Sequence, residues 1–366
     1  MVNLAANILA VAPTGLWENI IFTLSDWVKN YALAIILLTL FIKLILLPVD
    51  YFQRRGNAKM QAFQEKNAQK MQEIQTKYPD KNIQNQKLGE LYKKEGFNPM
   101  GSCLTMIISM AISIAVFFTL FGSLNGISAY KITNQYEQLQ TAYIYDYVKA
   151  EYSLTDEQIA QLEDTQVDAY ILEIASLDQT VEENIVTLTN AQLAVKLKYE
   201  EVKESFLWIK NVWIPDSPIA RAIADFDTYA GTAGLKLEGE EREKAEQIYN
   251  AVMSDLEESE GVNGYFILAV LAAVSTFLSQ YFATKRKKKE NQNFYEKQNS
   301  QTQQQQSQAM SGKVMLFVFP IIMLFFTLSY NSIFAIYIVV SQLVAAATAP
   351  LITKLIQVTS KKKESK

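Results

Sequence analysis

Five stretches of this chain are nearly uninterrupted apolar runs: Tyr31–Leu47, Leu104–Phe121, Tyr265–Ala283, Val314–Leu328 and Ile333–Leu351. At roughly 1.5 Å per residue, runs of about 15 to 19 residues reach across most or all of a hydrocarbon layer about 30 Å thick. Backbone in lipid must satisfy its own hydrogen bonds, so helices are the element such runs can form. The whole-chain mean hydropathy of +0.01 hides them, because the polar residues are gathered in between. The expected fold class is an all-α polytopic membrane protein: five transmembrane helices, a cytosolic helical hairpin and an inserted acidic extracytoplasmic helical domain.

The charges between the runs segregate by sign. Val49–Asn98 holds 10 Lys/Arg against 6 Asp/Glu, Ala283–Lys313 holds 7 against 2, and Leu351–Lys366 holds 5 against 1. Gly126–Asn263 instead holds 27 acidic residues against 10 basic ones. Short loops rich in Lys/Arg stay in the cytosol, which puts the N-terminus outside and the C-terminus inside. The expected organisation is an outer segment with an interfacial amphipathic helix (1–30), a first span (31–48) and the cytosolic hairpin (49–98). A second span (104–122) leads to the acidic domain (126–263), and a third span (264–283) to a basic, then glutamine-rich, cytosolic loop (284–312). The fourth (314–330) and fifth (332–352) spans and a basic tail (353–366) complete the chain.

One charge falls inside a run. Lys43 lies in the first, and an ionisable residue in a span is a functional-site hypothesis by default. It is also only four residues, about 6 Å of helix, from Leu47, so a snorkelling side chain is an equally open reading on this stretch alone. Pro48 is expected to end the helix there. The chain has no histidine and a single cysteine, Cys103, which removes intrachain disulfides and the commonest metal ligand and acid–base group. No catalytic constellation, metal site or cofactor is expected, and the chain is not read as an enzyme.

Leu16–Lys29 spaces Trp17, Ile20, Ile21, Leu24, Trp27 and Val28 as an amphipathic helix suited to the outer interface, or else as the frayed start of the first span. Met1–Ala12 lacks the basic region of a secretory signal and is not read as one. Tyr51–Gly96 reads as two polar helices with a sparse apolar stripe, a turn at Tyr78-Pro79-Asp80 and a glycine C-cap at Gly96. With few large contacts, that hairpin is expected to be mobile. Thr155–Gln158 is a capping box from which Ile159, Leu162, Val167, Tyr170, Ile171 and Ile174 continue in helical fashion, and further helical patterns cover Glu182–Phe206 and Glu240–Ser259. The acidic domain reads either as a partner-binding module or as a solubilising cap. The basic run Lys285–Lys289 is either a topology signal or a membrane-surface anchor, ahead of a disordered glutamine-rich tether. The tail Lys361–Lys363 adds contact with ribosomal RNA phosphate as a third option. No DNA partner is expected.

The order of parts and several local motifs resemble the YidC/Oxa family of membrane protein insertases, in the five-span form of bacteria with one membrane. Phe41–Leu104, ending in NPMGSCL, is similar to the family's first span, hairpin and NPxGGCLP approach to its next span. LWIKNVWIPDSP (Leu207–Pro218) is similar to its LWIxDL segment, and Lys313–Leu343 to its last two spans. The resemblance implies a function: moving polar segments of nascent membrane proteins through a groove open to cytosol and lipid, then releasing their apolar helices into the bilayer. It puts Lys43 where the family has a groove arginine. It also implies groove positions at Thr39, Ser279, Gln280, Ser341 and Gln342, and a client-receiving hairpin surface at Met60, Phe63, Met71 and Ile74. Partners implied are nascent membrane proteins and the bilayer, with the ribosome, through tail and hairpin, and the Sec translocon as further candidates.

The chain departs from the family in having lysine for arginine, in Thr105, Ser109 and Ala111 in the second span, and in NSIFAIYI (Asn331–Ile338) for PxGLxLYW. The long acidic insertion is also outside the usual pattern, and a divergent paralogue with narrowed clients fits these departures. Two readings from other classes stay open. A transporter or channel ordinarily has inverted repeats or several intramembrane charges, and only Lys43 is present. A membrane-anchored protein whose main part is the acidic domain would make Lys43 dispensable.

Overall fold

The computed structural model describes residues 12–295 and 317–364. Expectations for Met1–Val11, for the run Gln303–Gln306, and for the side chains of Cys103, Thr105, Lys285–Lys289 and Lys361–Lys363 lie outside what is described. Among the described residues the regular structure is helical, with two isolated β-bridges.

The helices are α1 (Leu16–Val28), α2 (Tyr31–Lys77), α3 (Lys81–Lys94), α4 (Pro99–Tyr152), α5 (Asp156–Ile159), α6 (Asp164–Ala175) and α7 (Glu182–Val202). Then come α8 (Phe226–Ala233), α9 (Gly239–Glu260), α10 (Ile267–Tyr295), α11 (Phe317–Ser329) and α12 (Ser332–Glu364). Three stretches, Tyr31–Gln64, Ile107–Tyr152 and Ser332–Thr359, are long and apolar enough to cross a membrane by length and composition. Two shorter apolar helices, Ile267–Tyr281 and Phe317–Ser329, match the other two runs. The chain clusters into two units. One comprises residues up to Ile35, Leu120–Val270 and Phe325–Tyr337; the other comprises Ile36–Thr119, Leu271–Leu324 and Ile338 onward.

Several boundaries differ from the sequence expectation. The helix of the first apolar run does not end at Pro48: α2 runs through it to Lys77. A proline inside a helix forgoes one backbone hydrogen bond, which spanning helices tolerate where neighbouring groups take up the freed carbonyl. Likewise α4 is one helix of 54 residues, and the expected domain boundary at 126 falls in its middle. Its buried stripe of Leu120, Leu124, Ile127, Ile132, Tyr136, Leu139, Tyr143 and Val148 keeps the helical period beyond the apolar run, so packing carries the helix onward. The capping box at Thr155 starts a helix of only four residues. Glu163 N donates to the Gln166 side chain at 3.0 Å and starts α6 afresh, so the single helix implied by Ile159–Ile174 is two.

In the first unit α6, α7 and α8 each pack on α9. Their core is aromatic: the rings of Tyr136, Tyr229 and Tyr249 lie with centroids 4.8 to 4.9 Å apart. The Tyr249 hydroxyl donates to Ala224 O at 2.7 Å, whereas that of Tyr229 is buried without a partner among the described residues.

The segment Ser205–Ser217 ties this unit together. Asp216, 2% exposed, accepts from Tyr265 N (2.8 Å), Leu268 N (2.6 Å) and Trp208 Nε1 (3.2 Å), and so caps the start of α10. Asn263 donates to the carbonyls of Asn211, Ile214 and Pro215 and accepts from Asn211 N. Ser332, at the start of α12, donates through both N and Oγ to Ile214 O, at 3.1 and 2.7 Å. On α4, Ser128 Oγ donates to Trp213 O, and Asn30, just before α2, donates to Ser205 O. This segment, which includes the residues that carry the LWIxDL likeness, thus holds the starts of α2, α10 and α12 and one turn of α4.

In the second unit the C-terminal part of α2 pairs with α3. Asp80 caps α3 by accepting from Asn82 N at 2.7 Å, and Gln84 Nε2 donates to the Gln75 and Tyr78 carbonyls that end α2. Phe63 stacks on Phe97 at 4.3 Å and lies 5.1 Å from Tyr92. Glu95 bridges Lys66 (2.9 Å) and Lys70 (2.8 Å), and those bonds hold its carboxyl down at about 2. Gly96 takes a left-handed φ of +63° at the helix end, as a C-cap glycine does.

Candidate functional site

The sequence of α2 divides its surface into two stripes. Leu33, Leu37, Leu40, Phe41, Leu44 and Ile45 are exposed, with Phe41, Leu44 and Ile45 at 58 to 63%. A face of that composition is at rest only against lipid. Within the second unit, Leu38, Thr39 and Ile42 are buried on the other side, Thr39 at 1%. Lys43 stands one turn beyond Thr39 on that protein-facing stripe and is half-buried. It is not on the lipid face.

The stripe stays polar toward the hairpin. Asp50 lies seven residues on, about 10 Å along the axis, and acts electrostatically on Lys43 across that distance. Gln53 follows, its Oε1 accepting at 3.0 Å from Ser109 Oγ of α4, which is 3% exposed. Among the described residues no carboxylate lies within ion-pair reach of the Lys43 ammonium. A half-buried ammonium without such a partner is costly unless water or a ligand reaches it.

Thr39 and Lys43 are therefore brought together on one stripe. Ser279 and Gln280 on α10, and Ser341 and Gln342 on α12, belong to the same unit and are half-buried. Of the hairpin residues, Phe63 is only 7% exposed and is used within the hairpin's own aromatic cluster, whereas Met60, Met71 and Ile74 are half-exposed. Sequence reasoning missed Asp50 and Gln53. The signal was available: the spacing from Thr39 through Lys43 continues to both at steps of three, four and seven.

A family model described as 60Kd inner membrane protein matches residues 23–361, nearly the whole described chain. The chain belongs to that family, the YidC/Oxa proteins. Among curated YidC/Oxa relatives, a protein named membrane protein insertase YidC from Thioalkalivibrio sulfidiphilus is 38% identical over 108 residues. That alignment covers 28% of this chain and 19% of the relative. The protein of the same name from Wolinella succinogenes is 39% identical over 109 residues, covering 28% and 20%. The one from Oceanobacillus iheyensis is 33% identical over 117 residues, covering 28% and 45%. The aligned part thus spans about a fifth of the first two relatives and under half of the third. Membership in the YidC/Oxa family agrees with the architecture, which is that of an all-α polytopic membrane protein.

Proposed function

We propose that this chain is a membrane protein insertase that works without chemistry. Its site is a hydrophilic groove containing Lys43 and Thr39, with Ser279, Gln280, Ser341 and Gln342 on its other helices. The observation that carries the reading is a half-buried ammonium on the protein-facing stripe of α2, continuous with a polar line toward the hairpin and lacking an ion-pair partner among the described residues. Family membership and the names of the relatives support the same reading.

The physical task is to carry a polar segment of a nascent membrane protein past hydrocarbon, where each unsatisfied backbone or charged group costs several kcal/mol. Water held at Lys43 shortens that dry path, and the ammonium attracts acidic and polar groups of the translocating segment. The client's apolar helix meanwhile leaves along exposed apolar surface into lipid, driven by its own hydrophobicity. The half-exposed Met60, Met71 and Ile74 give the hairpin an adaptable apolar surface for receiving clients. In this reading the chain crosses a bacterial plasma membrane five times, with its N-terminus outside and its acidic domain extracytoplasmic. The hairpin and basic tail face the cytosol and the ribosome, and the Sec translocon is a partner for some clients.

Complementation of insertase-depleted cells tests the proposal. Lys43→Ala is expected to abolish growth rescue and Lys43→Arg to retain it, because arginine keeps the charge. A photoreactive residue at position 43 is expected to crosslink a stalled nascent membrane protein. Full rescue by Lys43→Ala, with no crosslink from position 43, removes the groove from the mechanism.

A further inference from the structure

Two turns of the first unit present large apolar side chains that the insertase reading does not use. Leu207 is 76% exposed and Ile219 85%, and Val262 and Tyr265 are exposed beside them. Phe206–Ala220 and Gly261–Phe266 together carry two charges, Lys210 and Asp216, and Asp216 is buried in its caps. Neither stretch therefore shows a carboxylate on its surface, within a segment otherwise rich in them. Leu207 also holds a left-handed φ of +54°, a backbone state that favours glycine, so an exposed leucine sits where its own conformation is costly.

Hydrogen bonds pin both turns to the places where apolar runs begin. Asn30 Nδ2 donates to Ser205 O at 3.3 Å, so Leu207 lies two residues, about 7 Å of chain at most, from a group at the entry to α2. Trp208 Nε1 and Tyr265 N both donate to Asp216 Oδ1, which ties the same turn to the entry of α10. Ile219 is bracketed by Gly264 N to Ser217 O at 3.2 Å and Asn263 N to Ala220 O at 2.8 Å, against the residues that lead into α10.

The start of a spanning run is headgroup level whichever way the chain is oriented, and the headgroup layer is about 5 to 8 Å deep on each side. Both turns are tied to that level. Apolar exposure continues past them along α10, through Ile267 and Val270. Large apolar side chains on a charge-free surface at this depth gain most from the acyl chains next to them.

We propose that Leu207 and Ile219 are membrane anchors: the two turns seat the acidic helices on the adjoining leaflet by placing these side chains among its acyl chains, with Tyr265 at the headgroup boundary. The anchoring rests on α10 being a span, as in the reading above.

Electron paramagnetic resonance of the full-length protein in phosphatidylcholine–phosphatidylglycerol vesicles tests this. In a Cys103→Ser background, nitroxide labels are placed at Leu207→Cys or Ile219→Cys, with Glu183→Cys on α7 as the water reference and Val270→Cys on α10 as the lipid reference. Each label at 207 or 219 is expected to favour oxygen over a water-soluble nickel chelate at least fivefold more than the label at 183. Nickel access at 207 and 219 with oxygen access at 270 overturns the anchoring alone, whereas nickel access at 270 as well takes α10 out of the bilayer and the five-span reading with it. Shielding of 207 and 219 from both reagents overturns the assignment to lipid in favour of a protein partner. Because a nitroxide has its own affinity for lipid, a label-free variant completes the test. Leu207→Gln/Ile219→Gln alters exposed side chains only and is expected to speed amide exchange across Phe206–Ile209 at least threefold in vesicles; exchange equal to wild type overturns the anchoring.

Discussion

Replacing Asp168 by asparagine is expected to stabilise the acidic helices at neutral pH. Asp168 is 4% exposed within α6, and its Oδ2 has no hydrogen-bond partner among the described residues. Burial is the main force on it, with Asp164 one turn back adding repulsion and Lys244 of α9 giving partial relief; together they push its carboxyl up from 3.8 to about 6. Its neighbours include the buried Tyr136 and Tyr229, neither of which donates a hydrogen bond to it among the described contacts. A carboxyl raised in the fold favours the folded state below its unfolded value near 3.8, and that stability is lost as pH rises through about 6. At about 1.4 kcal/mol per pKa unit, the ionised carboxylate costs the fold at most about 3 kcal/mol above that window. Partial access of water reduces this to about 2 kcal/mol.

Asp168→Asn removes the charge at nearly constant shape and is expected to recover that amount at pH 7.5 and roughly half of it at pH 5. Amide hydrogen exchange over α6 and α9 in the full-length protein, expressed as opening free energies at the two pH values, provides the measurement. Glu137 and Glu204 are also raised by burial and shift both proteins alike, so the difference between variant and wild type isolates Asp168. A variant no better protected than wild type at pH 7.5, or a difference that does not shrink at pH 5, refutes the reasoning.

Three further outcomes follow from the geometry. Gly264→Ala would place a methyl 1.9 Å from Asp216 Oδ1 and 3.1 Å from its Cα, so Asp216 must leave its caps; a loss of about 3 kcal/mol or more is expected, read as a lower melting temperature and less folded protein in membranes. Asn263→Ala strips donors from three carbonyls and an acceptor from Asn211 N, and about 2 to 4 kcal/mol of destabilisation is expected in the same assay. Glu95, lowered to about 2 by its two lysines, supports the hairpin fully above its unfolded 4.5 and loses that support as pH falls through about 2. Exchange protection around Glu95 is therefore expected to be flat from pH 7 to 4.5, and Glu95→Gln to weaken it throughout.

Much of the architecture was legible because apolar runs, capping boxes and turn residues are local signals. Tyr78-Pro79-Asp80, the cap at Gly96 and the helices near Glu182 and Glu240 fall within a few residues of their expected places. Helix lengths were not legible. Pro48 and the polarity change after Phe121 look like stops, yet α2 and α4 pass through both; in α4 a buried stripe outweighs local propensity. At the candidate site, Lys43 stood out because a charge in an apolar run needs a reason. Which way it faced could not be read, because snorkelling and inward placement share one sequence. Its place one turn beyond buried Thr39 gives the direction. The Asp216 and Asn263 contacts join residues about 50 positions apart, a separation at which no spacing rule applies.

The closed stem at Arg221 and Val262 bears on how such a chain acquires new parts. Those residues form an antiparallel bridge, flanked by Ala222 N to Gly261 O at 2.9 Å and Asn263 N to Ala220 O at 2.8 Å. Everything from Ala222 to Gly261 hangs from that stem as an excursion whose two ends already touch. Changing the length of an excursion that begins and ends at one point alters closure entropy only logarithmically, about 0.6 kcal/mol per doubling. A lineage can therefore lengthen or trim the turn between α8 and α9 while the stem keeps its pairing, whereas α9 itself is tied to α6, α7 and Tyr136. The stem is a grafting point for turn material alone, because α9 beyond it is held in the core that α6 and α7 share.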